Sequence, residues 1–96
     1  ANTAHIMSWP EVERMFARID RALEPHGRVC LYGPFNYGGR FTAPSNEAFD
    51  ASLRARDPRM GLRDFEAVDA LARRFGFALA ADHAMPANNR LLEWRR

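Results

Sequence analysis

Lysine is missing from this 96-residue chain: all fourteen of its basic side chains are arginine. Twelve carboxylates are interleaved with them, and the formal net charge is only +2. A phosphate-binding surface needs a concentrated basic patch, whereas these arginines fall mostly on the polar faces of expected helices, which argues against a nucleic-acid partner. Cysteine is almost missing too. A single Cys30 excludes an internal disulfide, and its place in an apolar run predicts a buried, inert thiol rather than a nucleophile. No apolar stretch approaches the roughly 20 residues that cross a bilayer. The start, ANTAHIMSW, lacks the basic, apolar and small-residue order of a signal peptide. The expectation is a soluble, cytoplasmic protein with no membrane contact. His5, His26, His83 and Cys30 lack the paired spacing of a zinc site, so no metal is expected. Ser45 and Ser52 stand outside any G-x-S-x-G context, which removes the hydrolase reading. A G-x-G-x-x-G cradle is also wanting, and Gly38-Gly39 reads as a flexible turn.

What is present is ordinary globular material, 47% hydrophobic and 27% charged. It suffices for one domain burying about 60 to 65% of its unfolded surface. Ser8-Trp9-Pro10-Glu11 fits a capping box, so a helix starts at Trp9. Val12, Met15, Phe16, Ile19, Ala22 and Leu23 supply its apolar face. Pro25 and Gly27 end it at a corner, and Val29-Cys30-Leu31-Tyr32 follows as a run without alternation, expected as a central parallel strand covered on both faces. Asn36 to Pro44 is a turn-rich loop. Ser45 is the expected N-cap of a helix that buries Phe49 and Leu53 and ends before Pro58. A second stripe of Phe65, Val68, Leu71, Ala72 and Phe75, with Asp64 at its start and Gly76 at its stop, predicts another helix. Two strands close the order, Phe77 to Met85 and Arg90 to Arg95, joined by the hairpin connection Pro86-Ala87-Asn88-Asn89.

A strand that feeds helices and then a second strand is a crossover unit of an α/β sheet, and a leading helix that faces the core implies an earlier strand to cross from. Helix, L-x-P-x-G corner, buried strand, helices and terminal hairpin together resemble the second half of a class I S-adenosylmethionine-dependent methyltransferase, a Rossmann-like fold with strand order 3-2-1-4-5-7-6 and only the seventh strand antiparallel. In that resemblance Arg28 to Phe35 is strand five, Phe77 to Met85 strand six and Arg90 to Arg95 strand seven. The words ANTAHIMSWPEVERMF, LYGPFNYGGRFTAPSNEAFDASLRARDP, GLRDFEAVDAL and DHAMPANNRLLEWRR closely resemble the family catalogued as domain of unknown function 938, also called methyltransferase-like protein 26 in animals. The resemblance spans essentially all 96 residues. It implies that residues 1–96 are a single partial domain, and that the Gly-rich turn and ribose-binding acid lie in an N-terminal half not contained in it.

The same resemblance sets the functional expectations. Asn2 to Ile6 is the exit of strand four, which puts Asn2 beside the cofactor and makes His5 the candidate general base, since imidazole titrates near neutrality. Tyr37, Arg40, Asn88 and Asn89 follow strands five and six at their carboxyl ends and are the candidate substrate-binding residues. Each has a plainer reading: a structural histidine, solvated loop residues, and asparagines used for a hairpin turn. S-adenosylmethionine is the implied cofactor of the full-length protein and is not expected to bind these residues alone. The implied activity is methyl transfer to a small-molecule acceptor of unknown identity, with an interaction module that keeps the fold without the chemistry as the alternative. Strand Arg28 to Phe35, without its strand-four neighbour, is expected to drive self-association.

Overall fold

In a computed structural model the protein is described at residue 5, residues 7–22 and residues 27–96. Asn2, the end of the first helix at Leu23 and the Pro25 corner lie outside the described residues. The elements run α1 (Trp9–Ala22), β1 (Arg28–Gly33), β2 (Phe35–Asn36), α2 (Pro44–Arg56), β3 (Arg63–Asp64), α3 (Phe65–Arg74), β4 (Ala78–Met85) and β5 (Asn89–Arg95), with a 3-10 turn at Pro86–Asn88. The capping box at α1 forms as anticipated. The Ser8 amide donates to Glu11 Oε1 at 3.0 Å and the Glu11 amide to Ser8 Oγ at 3.4 Å, satisfying two N–H groups that no helical carbonyl can reach.

The main sheet has the order β1-β5-β4, both pairings antiparallel. This is the order 5-7-6 expected from the resemblance, with the last strand inserted against the direction of the other two. Val29 pairs with Trp94 and Leu31 with Leu92, and Leu79 meets Trp94 from the far side. On that one face pack Val12 and Phe16 of α1 and Val68, Leu71 and Ala72 of α3, forming a single core. Trp94 is fully buried. Its ring meets Phe16 edge to face at 6.3 Å, and its indole N–H donates to Asp69 Oδ1 at 2.9 Å. A buried indole without such an acceptor would carry an unmet donor into the core.

One expectation about β1 is corrected. The strand alternates, with Val29 and Leu31 buried and Arg28 and Cys30 exposed. Among the described strands it pairs on one side only, with β5 and antiparallel, as the order 5-7-6 implies. An apolar run is buried on both faces only where both are covered; α1 and α3 share one face, so Cys30 on the other meets solvent. The expected loop after β1 also contains more order than its turn residues suggest. Phe35 and Asn36 form a short parallel pair with Arg63 and Asp64, and Tyr37 and Arg40 close the Gly38-Gly39 turn.

Helix α2 departs from expectation at Ser45 and Phe49, while Leu53 is buried as expected. Ala43, not Ser45, is the N-cap, and Pro44 occupies the first turn, where its missing N–H costs nothing. Phe49 is 41% exposed, and the buried face is instead Asn46, Asp50 and Leu53. Asp50 explains the inversion. Its Oδ1 accepts from the Leu62 amide at 2.8 Å and its Oδ2 from Arg54 Nε at 2.9 Å, so a buried carboxylate organises the chain that follows the helix. Asp64 does hold the N-cap position of α3, without a side-chain capping bond.

Candidate functional site

A cavity of about 430 Å³ opens where β1 ends, α2 begins and the hairpin tip turns. Tyr32, Gly33 and Pro34 line it from the β1 side, Ser45, Asn46 and Phe49 from α2, and Ala87, Asn88 and Asn89 from the hairpin, with His5 across from them. Carboxyl ends of neighbouring strands in α/β sheets form such crevices, because the chain leaves the sheet there in diverging directions.

His5 is half-buried and held at two points. Its carbonyl accepts from the Gly61 amide at 2.9 Å, and its ring leans on Phe49 with centroids 5.6 Å apart. Gly61 suits this approach because its φ is +149° and a Cβ there would lie 2.7 Å from Arg54 Nη2 and 2.9 Å from Asp50 Oδ1. Burial lowers the pKa of His5 below its ordinary 6.5 by penalising the imidazolium. A neutral imidazole is the form able to accept a proton.

The hairpin tip is tied into the cavity wall. Asn88 Nδ2 donates to Ser45 Oγ at 3.3 Å, while Asn89 Nδ2 donates to the Tyr32 hydroxyl at 3.3 Å and to the Pro86 carbonyl at 3.1 Å. To reach these partners Ala87 and Asn88 both adopt φ of 60°, a left-handed conformation that Asn tolerates and Ala resists. Asn46, 4% exposed, donates to Thr42 Oγ1 at 3.1 Å and closes the floor beside α2.

Of the candidate residues read from the sequence, His5, Asn88 and Asn89 share this cavity, and Asn2 is outside the described residues. Tyr37 and Arg40 are not among its lining. Tyr37 belongs to a separate cluster: its hydroxyl donates to Asp82 Oδ2 at 2.8 Å, its ring stacks on Phe65 at 5.2 Å, and Arg90 bonds Asp82 Oδ1 at 2.8 Å. Burial and the Asp82 carboxylate raise the Tyr37 pKa, holding it as a phenol. Arg40 is exposed on the adjoining turn. Tyr32, Ser45, Asn46 and Phe49 are cavity residues that sequence reading did not single out. A signal for α2 was available in the spacing: Asn46, Asp50 and Leu53 mark one stripe, and Ser45 with Phe49 mark the adjacent one.

The described residues do not supply a nucleotide-type cradle. Gly38 and Gly39 have positive φ, but the Gly38 amide is engaged by both carboxylate oxygens of Glu66, at 3.0 and 3.2 Å. Among the described residues no group of three or more His, Cys, Asp or Glu side chains is placed to hold a metal, and no helix is long and apolar enough to cross a membrane.

Solved structures similar to this chain include methyltransferases. The chain is similar over 99% of its length to a candidate O-methyltransferase from Nostoc punctiforme PCC 73102, with a TM-score of 0.83, 21% identity and 30% of that chain covered. It is similar to an O-methyltransferase family protein from Burkholderia thailandensis over 99% of its length, with a TM-score of 0.82, 15% identity and 28% of that chain covered. An S-adenosylmethionine-dependent methyltransferase in its apo form matches over 100% of the chain, with a TM-score of 0.76, 22% identity and 29% of that chain covered. These likenesses establish the fold, a mixed α/β unit matching the C-terminal part of such enzymes, and the chain spans about 30% of their length. Residues 1–96 match throughout the family described as Protein of unknown function (DUF938), and the chain belongs to that family.

Proposed function

We propose that this chain forms the acceptor-binding side of an S-adenosylmethionine-dependent methyltransferase, with the cofactor held by a part of the protein outside these residues. The observation that carries the proposal is the convergence of His5, Asn88 and Asn89 on one cavity at the carboxyl ends of the sheet strands. Support comes from the methyltransferase fold of its structural neighbours, one of which is S-adenosylmethionine-dependent by name. The cofactor supplies an electrophilic methyl group; everything else falls to side chains.

Phe49 and Tyr32 wall the acceptor, and the hairpin amides orient it. His5, kept neutral by its burial, takes the proton of an acceptor hydroxyl and leaves a nucleophilic oxygen; the imidazolium then releases that proton to solvent. A neutral base near its working pH contributes about 10² to 10⁴ in rate.

Calorimetry of the full-length protein with S-adenosylmethionine, followed by methyl-transfer assays of His5→Ala, tests this. Saturable micromolar binding together with a loss of at least about a hundredfold in turnover is the expected result. Full-length protein that binds no S-adenosylmethionine overturns it and leaves the interaction-module reading.

A further inference from the structure

We propose that the cavity accepts an uncharged, planar molecule carrying hydroxyl or N–H donors, and discriminates against carboxylates and phosphates of the same shape. The inference rests on reading the cavity as the acceptor site.

The composition makes the lining unusual. More than a quarter of the chain is charged, yet none of the described cavity residues is Arg, Asp or Glu. His5 adds no charge at neutral pH, since burial disfavours its protonated form. An anion entering here would give up its hydration without meeting a counter-charge on this wall. Arg90, the basic residue next along the hairpin, is already bonded to Asp82.

The hydrogen-bonding groups point the same way. Asn46 and Asn88 each commit one of their two amide N–H groups to a protein oxygen, and Asn89 donates to two. Among the described residues the three carboxamide oxygens accept no bond, and an oxygen acceptor matches a donor such as a phenol, amide or amine N–H. A carboxylate or phosphate offers acceptors only, so it leaves those oxygens unmatched and brings a charge that the neutral donors beside them only partly offset. Planarity follows from the walls. Phe49 keeps 41% of its surface exposed beside the cavity, a phenyl face on which a flat guest can stack. Its tilted neighbour is the His5 ring. About 430 Å³ has room for one or two fused rings.

The test uses the full-length protein and two probes of one shape, 4-hydroxybenzamide and 4-hydroxybenzoate, titrated by calorimetry at neutral pH, with S-adenosylmethionine binding measured separately. The amide is expected to bind at least tenfold more tightly than the benzoate. Ser45→Arg should narrow that gap at least tenfold, and Phe49→Ala should weaken the amide. Equal or tighter binding of the benzoate overturns the inference. So does failure of both probes in protein that binds S-adenosylmethionine, or amide binding indifferent to Phe49→Ala. Selective amide binding without S-adenosylmethionine binding would keep the inference and overturn the methyl-transfer reading.

Discussion

Asn88 donates to the Ser45 hydroxyl across 3.3 Å although 43 residues separate them. The bond fastens the β4–β5 hairpin to the first turn of α2, so the two sides of the cavity are set by the same contact. Neither residue lies in the hydrophobic core, which separates cavity geometry from global stability.

That separation predicts the outcome of alanine substitution. His5→Ala, Asn88→Ala and Asn89→Ala in the full-length protein should each lower methyl transfer while shifting stability by less than about 1 kcal/mol. Leu31→Ala, at a core site on β1 that is 1% exposed, should cost about 2 to 5 kcal/mol. Urea denaturation alongside turnover checks both. Rim variants that unfold would return those residues to a purely structural role.

Ala87 stores strain at the hairpin tip, because its φ of 60° and ψ of 34° fall where a Cβ crowds the carbonyl. Ala87→Gly should therefore stabilise the protein by up to about 1 kcal/mol, read as a raised denaturation midpoint. A loss of stability would mean that the methyl group is packed rather than strained.

Gly61→Ala should act in the opposite sense. Arg54 can swing away from the new methyl, but Asp50 Oδ1 is fixed by its bond to the Leu62 amide. With φ at +149° as well, the cost should be about 1 to 3 kcal/mol. Since the Gly61 amide holds the His5 carbonyl, turnover should fall along with stability; thermal melts and assays on one preparation would show whether they move together.

Acid should weaken the fold through His5. Its folded pKa lies below the ordinary 6.5, so the unfolded chain binds the proton more readily. Its contribution to stability is present above pH 6.5 and is lost as pH falls through the lowered folded value. The acidic limb of the methyl-transfer profile should lie below pH 6.5 for the same reason, and His5→Gln should abolish it. A limb above 6.5 would identify another base.

Residues 1–96 by themselves are expected to self-associate through the edge of β1 that faces away from β5. Light scattering after size exclusion should show mass rising with concentration under reducing conditions. A monomer at high concentration would show that this edge is protected as it stands.

Helices α1 and α3 were legible because local signals and tertiary burial agree in them: the Ser8–Glu11 box and the Val68–Leu71–Ala72 stripe mean the same thing in isolation and in the fold. β4, β5 and their connection were legible from turn chemistry. β1 and α2 were not. Cys30 lies in an apolar run, but whether its face is covered depends on where two distant helices pack. Phe49 reads as core until the buried partners of Asp50, twelve residues on at Leu62, are known. The cavity shows the same division. His5, Asn88 and Asn89 follow from strand ends, which topology places together. The engagement of Tyr37 by Asp82, 45 residues away, is a tertiary event with no local mark.

The position of β5 also governs how the protein comes into being. β5 follows every other element in sequence yet lies between β1 and β4, which do not pair with each other. While Asn89–Arg95 is still within the ribosome, Val29 and Leu79 both lack the Trp94 they pair beside, and β4 has no partner among the described strands. Joining of β4 to β1 is thus withheld until β5 is released, and these three strands close around an insertion rather than growing in sequence order. Such long-range closure is slower than local helix formation, and it leaves the apolar face of β4 dependent on protection for as long as the strand beside it is yet to arrive.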